Sequence, residues 1–286
     1  MAAFFGRHPE NASGKEAEGE RKSEMAGRTA GYVRNSKWQM SESLALGVVL
    51  TLAGGFQDAY SYNCRGKVFA NAQTGNIVLL GQNLATGNWG SAIRYLFPLL
   101  AFIGGVYVTE WIHELYKEHR LLHWRQIVLL IEIVMLLIAG LLPQSMDTPA
   151  NILLSFACAM QVNSFRKFRG IPCATTMCIG NMRSATEMLG RYHITKDPEL
   201  KRKAQHYYFI ILIFAIGAAV GAVISMKWGN RAIWIAAALM FSGFLMMFIK
   251  SEIEENPAVR EEIQKIEKQA AEMLHEEREN SKSDTQ

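Results

Sequence analysis

Residues Gly54–Gly81 read GGFQDAYSYNCRGKVFANAQTGNIVLLG. The stretch begins inside an apolar run, which Gln57, Asp58 and Asn63 interrupt. It turns at Arg65-Gly66 and restarts as a short apolar helix behind Thr74-Gly75-Asn76. A looser copy, QVNSFRKFRGIPCATTMCIGNMRSATEML, spans Gln161–Leu189. At a constant offset of 105 positions Asp58 falls on Asn163, Gly75 on Gly180, Asn76 on Asn181 and Leu84 on Leu189. Two polar, glycine-broken segments at matching places of an otherwise apolar chain point to a site between two repeats.

The composition fits that pattern. Of the 286 residues 50% are hydrophobic, with 14 Met, 14 Phe and 6 Trp. Mean hydropathy is only +0.04, because charge is concentrated at the two ends. Long apolar runs lie between them, so the expected fold class is all-α, a polytopic transmembrane helix bundle with the lipid bilayer as its solvent. Residues 1–40 read as a disordered basic tail and 41–250 as the transmembrane domain, with halves at about 41–145 and 146–250. Residues 251–286 read as a charged amphipathic helix. Asn256-Pro257 would start that helix, and Val259, Ile263, Ile266, Ala270 and Met273 repeat at coiled-coil spacing. That pattern suits either a homo-oligomer contact or a solvated helix. Cys64, Cys158, Cys173 and Cys178 have no metal-binding spacing, so neither metal nor cofactor is expected. Nucleic acid is not an expected partner either.

Six strong spans are expected, at roughly Ser43–Tyr62, Ile93–Tyr116, Ile127–Leu142, Ile152–Phe168, His206–Met226 and Ala232–Ile249. Two short segments, Thr74–Ala85 and Thr176–Gly190, are read as re-entrant. The first of these rises only ~18 Å as a helix, against a hydrocarbon core of ~30 Å. The positive-inside rule favours the same count. With six spans, Lys117–Arg125, Arg166–Arg169 and Arg191–Lys203 all face the cytoplasm, together with both termini; Arg65, Lys67 and Arg94 remain as a basic cluster outside. Six spans also give the halves opposite orientation, so that the short segments enter from opposite faces.

Polar groups inside such a bundle need a reason, since an ionised side chain at the bilayer centre costs at least ~2.5–3.5 kcal/mol. Candidate solute-binding residues are Gln57, Asp58, Asn63, Thr74, Gly75 and Asn76 in the first segment. Gln161, Asn163, Gly180 and Asn181 are those of the second. Candidate ion or proton sites are Asp58, Glu132, Arg183 and Glu187. Asp58 reads equally as a proton or cation site and as an acceptor for the backbone amides near Thr74. Glu132 reads as a neutral carboxyl facing other helices or as a relay member. Arg183 and Glu187, four apart, would share a helix face and neutralise each other. Gly217-x-x-x-Gly221 and Gly104-Gly105 read as helix-packing surfaces. No nucleophile-base pair, zinc motif or phosphate loop is present, so the chain is not read as an enzyme.

GGFQDAYSY, FANAQTGNIVLLGQNLATG, Gln161-Val162-Asn163-Ser164 and Cys178-Ile179-Gly180-Asn181 together resemble the YoaK-like family. That family consists of multi-pass membrane proteins whose domain has no assigned function. The resemblance covers roughly Ser41–Lys250 and implies an integral protein of the cell (inner) membrane, with no substrate to carry over. The expected activity is binding or translocation of a small solute at the interface of the repeats. The alternative is a non-transporting scaffold that binds partners through its C-terminal helix.

Overall fold

A computed structural model describes residues 43–116 and 123–255. The N-terminal tail, the basic residues Lys117 and Arg120 and the C-terminal heptads from Val259 onward lie outside the described residues. The helices are α1 (Leu44–Cys64), α2 (Gln73–Ala85), α3 (Trp89–Tyr116), α4 (Trp124–Leu141), α5 (Asp147–Ser164), α6 (Cys178–Thr195), α7 (Pro198–Trp228) and α8 (Ile233–Glu255). Short 3-10 turns at Gln144–Met146 and Gly229–Ala232 join α4 to α5 and α7 to α8.

Local chemistry sets several starts. Ser43 accepts the amide of Leu46 at 3.2 Å to begin α1. Asp197 accepts from Glu199 at 2.9 Å, ahead of Pro198 at the first position of α7. A reciprocal capping box between His123 and Gln126 opens α4.

Three stretches are long and apolar enough to cross a membrane: Trp89–Tyr116, Trp124–Leu141 and Pro198–Phe248, the last running through α7, its 3-10 turn and α8. They display apolar side chains outward, among them Leu100, Ile103 and Tyr107 on α3 and Leu212, Ile216 and Val220 on α7. Helices α1 and α5 are different. They carry polar side chains and bury most of their length, α1 through Leu46, Leu50 and Ala53–Asp58 and α5 through Leu154, Ser155 and Ala157–Gln161. Polar groups are tolerated in these two helices because protein, rather than an apolar surround, faces them.

Packing runs across the chain's midpoint: α1 lies along α7 and α3 along α5, while α2 rests on α3 and α6 on α7. Small residues make the close crossings. A Cβ on Gly55 would strike the Phe214 carbonyl, and one on Gly217 the Leu52 carbonyl; one on Gly221 would come within 2.7 Å of the Phe56 Cα. On α3, a Cβ on Gly105 would lie 2.6 Å from the Phe156 carbonyl oxygen and 2.7 Å from the Ala159 Cβ of α5. These glycines let backbones approach, as the small-residue spacing suggests.

Hydrogen bonds gather the helix ends into two layers. At one end Arg65 donates to the carbonyls of Ala139 (2.6 Å) and Leu142 (2.9 Å) at the close of α4, and reaches Asp147 of α5 at 3.3 Å. In the same layer Tyr60 donates to the Asn230 carbonyl at 2.9 Å, and Asn230 donates to that of Leu142 at 3.1 Å. At the other end Arg125 donates to the Ser164 carbonyl at 3.0 Å, and Arg166 pairs with Glu110 at 2.6 Å. There too Tyr207 donates to the Pro172 carbonyl at 2.6 Å. The first layer holds the ends of α1, α4 and α7; the second holds the start of α4 against the end of α5.

Four expectations need correction. The helix expected over Ile152–Phe168 spans Asp147–Ser164 and gives way to a hairpin, Lys167–Phe168 against Ile171–Pro172. Positive φ at Arg169 (50°) and Gly170 (73°) makes the two-residue turn. The second short helix does not stop at Gly190 but runs 18 residues to Thr195, a rise of ~27 Å. The Thr74-Gly75-Asn76 step does not precede its helix but falls in the first turn, since that helix begins at Gln73. Arg65, expected in a basic cluster outside with Lys67 and Arg94, is fully buried and donates to the carbonyls closing α4.

Candidate functional site

Thr51, Gly54 and Asp58 recur at helical spacing along one stripe of α1. After Arg65 the chain doubles back along this stripe. Ser61 Oγ accepts the amide of Ala70 at 3.0 Å, and Asp58 Oδ1 accepts that of Asn71 at 2.8 Å. The Asp58 carboxylate also takes the Ala72 amide. The Asn71 side chain donates to the Gly54 carbonyl at 2.8 Å. The returning segment therefore descends from the end of α1 to its middle, where α2 begins. Asp58 caps that tip.

The second broken segment reaches the same region from the opposite layer. Gln161 Nε2 donates to Thr175 Oγ1 at 2.7 Å and to the Leu50 carbonyl at 3.3 Å. Helix α5 touches both tips: Ser155 Oγ donates to the Ala70 carbonyl at 3.1 Å, and the Cys158 thiol to Thr176 Oγ1 at 3.8 Å. A Cβ on Gly54 would lie 2.8 Å from Thr176 Cγ2 and 3.7 Å from Asn71 Nδ2. Both tips thus meet on one glycine of α1.

The twin asparagines have matching jobs. Asn76 accepts the Phe69 amide at 3.3 Å and donates to the Phe69 carbonyl at 2.8 Å. Asn181 accepts the Ala174 amide at 3.3 Å and donates to the Ala174 carbonyl at 2.7 Å. Each side chain fastens the backbone seven residues before it, so each broken segment is held against its own helix. Replacing either by Ala leaves a buried amide and carbonyl unpaired. Asn76→Ala and Asn181→Ala are each expected to cost about 1–3 kcal/mol. Thermal unfolding in detergent measures this, and an unchanged midpoint in both would remove the fastening role.

Buried acceptors crowd this region without partners. Thr51 Oγ1, Gln57 Oε1, Asn71 Oδ1 and both carboxyl oxygens of Glu132 make no hydrogen bond among the described residues. Glu132 lies on α4, which packs against α5. Each unpaired buried group costs about 1–3 kcal/mol.

The remaining candidate residues spread outward. Asn63 is exposed and donates to Ser225 Oγ at 3.0 Å, tying α1 to α7. Thr74 is exposed and Gly75 half-buried at the start of α2. Asn163 does not repeat the capping role of Asp58; it donates to Glu110 at 2.9 Å and bonds Arg166. At the second tip the work near Thr175 falls to Gln161. Asn163, Gly180, Asn181 and Arg183 do come together, with Arg166, around an open cavity of about 420 Å³. Arg183 and Glu187 are both exposed, and no ion pair joins them among the described residues. Sequence reasoning missed Thr51, Ser155 and the two tips, although Asn71 and Thr176 themselves stand 105 positions apart. That offset was the available signal.

A helical bundle that turns long apolar stretches outward and keeps polar, glycine-broken segments inside has the make-up of a membrane protein. The chain belongs to the family described as "Protein of unknown function (DUF1275)", whose model matches residues 46–246, in keeping with the YoaK-like resemblance. No curated protein and no solved structure matches it.

Proposed function

We propose that this is a non-enzymatic, multi-pass protein of the cell (inner) membrane that binds or translocates a small polar solute between two inverted halves. In this reading α1, α4 and α7 cross in one direction and α3, α5 and α8 in the other. Helices α2 and α6 dip in and return, and both termini are cytoplasmic. The layers of helix ends support it for α4 and α5: α4 ends and α5 starts at Arg65, while α4 starts and α5 ends where Arg125 meets Ser164. Helix α2, with 13 residues, rises only ~20 Å. Its exit lies near the Arg65 layer, where Arg94 at the start of α3 donates to the Gly66 carbonyl at 3.4 Å. The charge bias supports it too: Arg125, Arg166, Lys167, Arg169, Arg191 and Lys201–Lys203 fall on the cytoplasmic side in this reading, against Arg65, Lys67 and Arg94 on the other.

The observation that carries the solute-binding reading is the meeting of the two tips on Gly54, beside unpartnered oxygens of Thr51, Gln57 and Asn71. Broken segments that meet inside a bundle expose backbone and side-chain dipoles to a solute. Reporter fusions after Leu122 and after Gln144 should report inside and outside respectively; the reverse would sink the inverted halves. For the site, uptake of a panel of labelled amino acids, carboxylates and sugars is measured in vesicles carrying wild type, Gln57→Leu or Glu132→Gln. Accumulation by wild type that falls at least about ten-fold in one variant, equivalent to ~1.4 kcal/mol, is the expected result. Accumulation equal in all three would take both residues out of the site. None over empty vesicles would favour the scaffold reading.

A further inference from the structure

We propose that the groove at the α7–α8 joint binds an anionic glycerophospholipid, its phosphate at Arg231 and an acyl chain along α8. The inference rests on the membrane reading above but not on solute transport. The groove has a volume of about 660 Å³ and is walled by Trp228, Trp234, Ile235, Ala238 and Leu239, with Arg231 at one end and Ser242 at the other. Its wall is built into the fold. Trp234 donates its indole N–H to the Leu137 carbonyl of α4 at 3.2 Å, and its ring fills the space left by Gly140, where a Cβ would strike it.

Arg231 supplies the charge. It makes no ion pair among the described residues and lies 6.0 Å from the Trp234 ring centroid, with its guanidinium otherwise open. It sits in the 3-10 turn next to Asn230, which joins the layer of helix ends around Arg65, so its depth is that of lipid headgroups. Exposed Trp228 and the Trp234 ring suit the same depth, where aromatic side chains concentrate. From Arg231 to Ser242 the helix rises ~16 Å, about half of a ~30 Å hydrocarbon core. That is the reach of one acyl chain in one leaflet.

Charge and shape select among occupants. A water-soluble anion would satisfy Arg231 and leave the apolar wall uncovered. A zwitterionic lipid would cover the wall but bring its own cation to the guanidinium. An acidic headgroup on an acyl chain answers both, through a charge-assisted contact of the kind arginine makes with phosphate.

The test titrates purified protein in detergent with phosphatidylglycerol and phosphatidylcholine and counts retained lipid by native mass spectrometry. Wild type should retain phosphatidylglycerol roughly five-fold better, the worth of one cation near an acidic lipid. Arg231→Gln should bring the ratio to about one, and inorganic phosphate should not displace the lipid. Ala238→Trp, which fills the slot from an exposed position, should lower retention of both lipids. Equal retention by wild type, or a preference that survives Arg231→Gln, overturns the proposal. So does displacement by phosphate alone, which would mark a simple anion site. A change in oligomeric state on Ala238→Trp with lipid retention intact would assign the groove to a second copy of the chain. Protein that stays soluble without detergent would instead overturn the membrane reading itself.

Discussion

Arg65→Ala is expected to cost about 3–5 kcal/mol, the range for removing one partner of a buried charge network. The side chain is fully buried, and its five contacts join three elements. Nε donates to the Tyr60 hydroxyl at 2.9 Å, while Nη2 donates to Ala139 and Leu142 and Nη1 to Pro143 (3.2 Å) and Asp147 (3.3 Å). Two of the acceptors, Ala139 and Leu142, are carbonyls closing α4, where carbonyls lack partners within the helix and form its negative pole. Alanine would leave the Ala139 carbonyl without this donor and the partly exposed Asp147 without its ion pair. Arg65→Lys should recover only part of the loss, because an ammonium offers three donors from one point and cannot span the fork. Asp147→Asn should be milder: Asp147 is 23% exposed and Arg65 keeps its other acceptors. Thermal unfolding of the purified protein gives the order. If Arg65→Ala melts within a degree or two of wild type, the network is not what ties α1, α4 and α5 together.

The adjacent glycines of α1 give the second large expectation. A Cβ on Gly55 would strike the Phe214 carbonyl and lie 2.8 Å from the Ala218 nitrogen of α7, both backbone atoms. Backbone cannot step aside without moving the helix, so Gly55→Ala should cost about 1–3 kcal/mol or more as overpacking. At Gly54 the nearest obstacle is the Thr176 methyl at 2.8 Å, a side chain that can rotate. Gly54→Ala should be the milder change, while Gly54→Leu would wedge the tips apart and abolish solute uptake. Gly180 meets nothing within 4 Å inside α6, so Gly180→Ala should be neutral or stabilising by about 0.5–1 kcal/mol. Equal melting of the Gly55 and Gly180 variants would mean that α1 and α7 are not in backbone contact.

Legibility followed the range of the interaction. Gly217, Gly221 and Gly105 could be found in the sequence because small residues at helical spacing have one common use, and each faces a backbone in the fold. The amide-accepting alternative for Asp58 was also legible, since an acid two turns from a break has amides within reach. Asn163 shows the limit. Its alignment with Asp58 suggested a shared role, yet it bonds Glu110 on α3, and the second tip is held by Gln161. Equal spacing does not fix which of two neighbouring polar side chains turns inward. Nor could any local pattern reveal that Arg65 would be buried, because four of its five acceptors lie 74–82 positions away.

The sequence by itself determined the all-helical, apolar class of architecture and the places where the apolar runs break, since hydropathy is a local property of the chain. Only the tertiary structure decided that the tips meet on Gly54, that Asn76 and Asn181 are spent on backbone, and that Arg65 closes α4. The reason is physical: a buried polar group must find partners wherever packing delivers them, and packing here joins α1 to α7 and α3 to α5, across the middle of the chain.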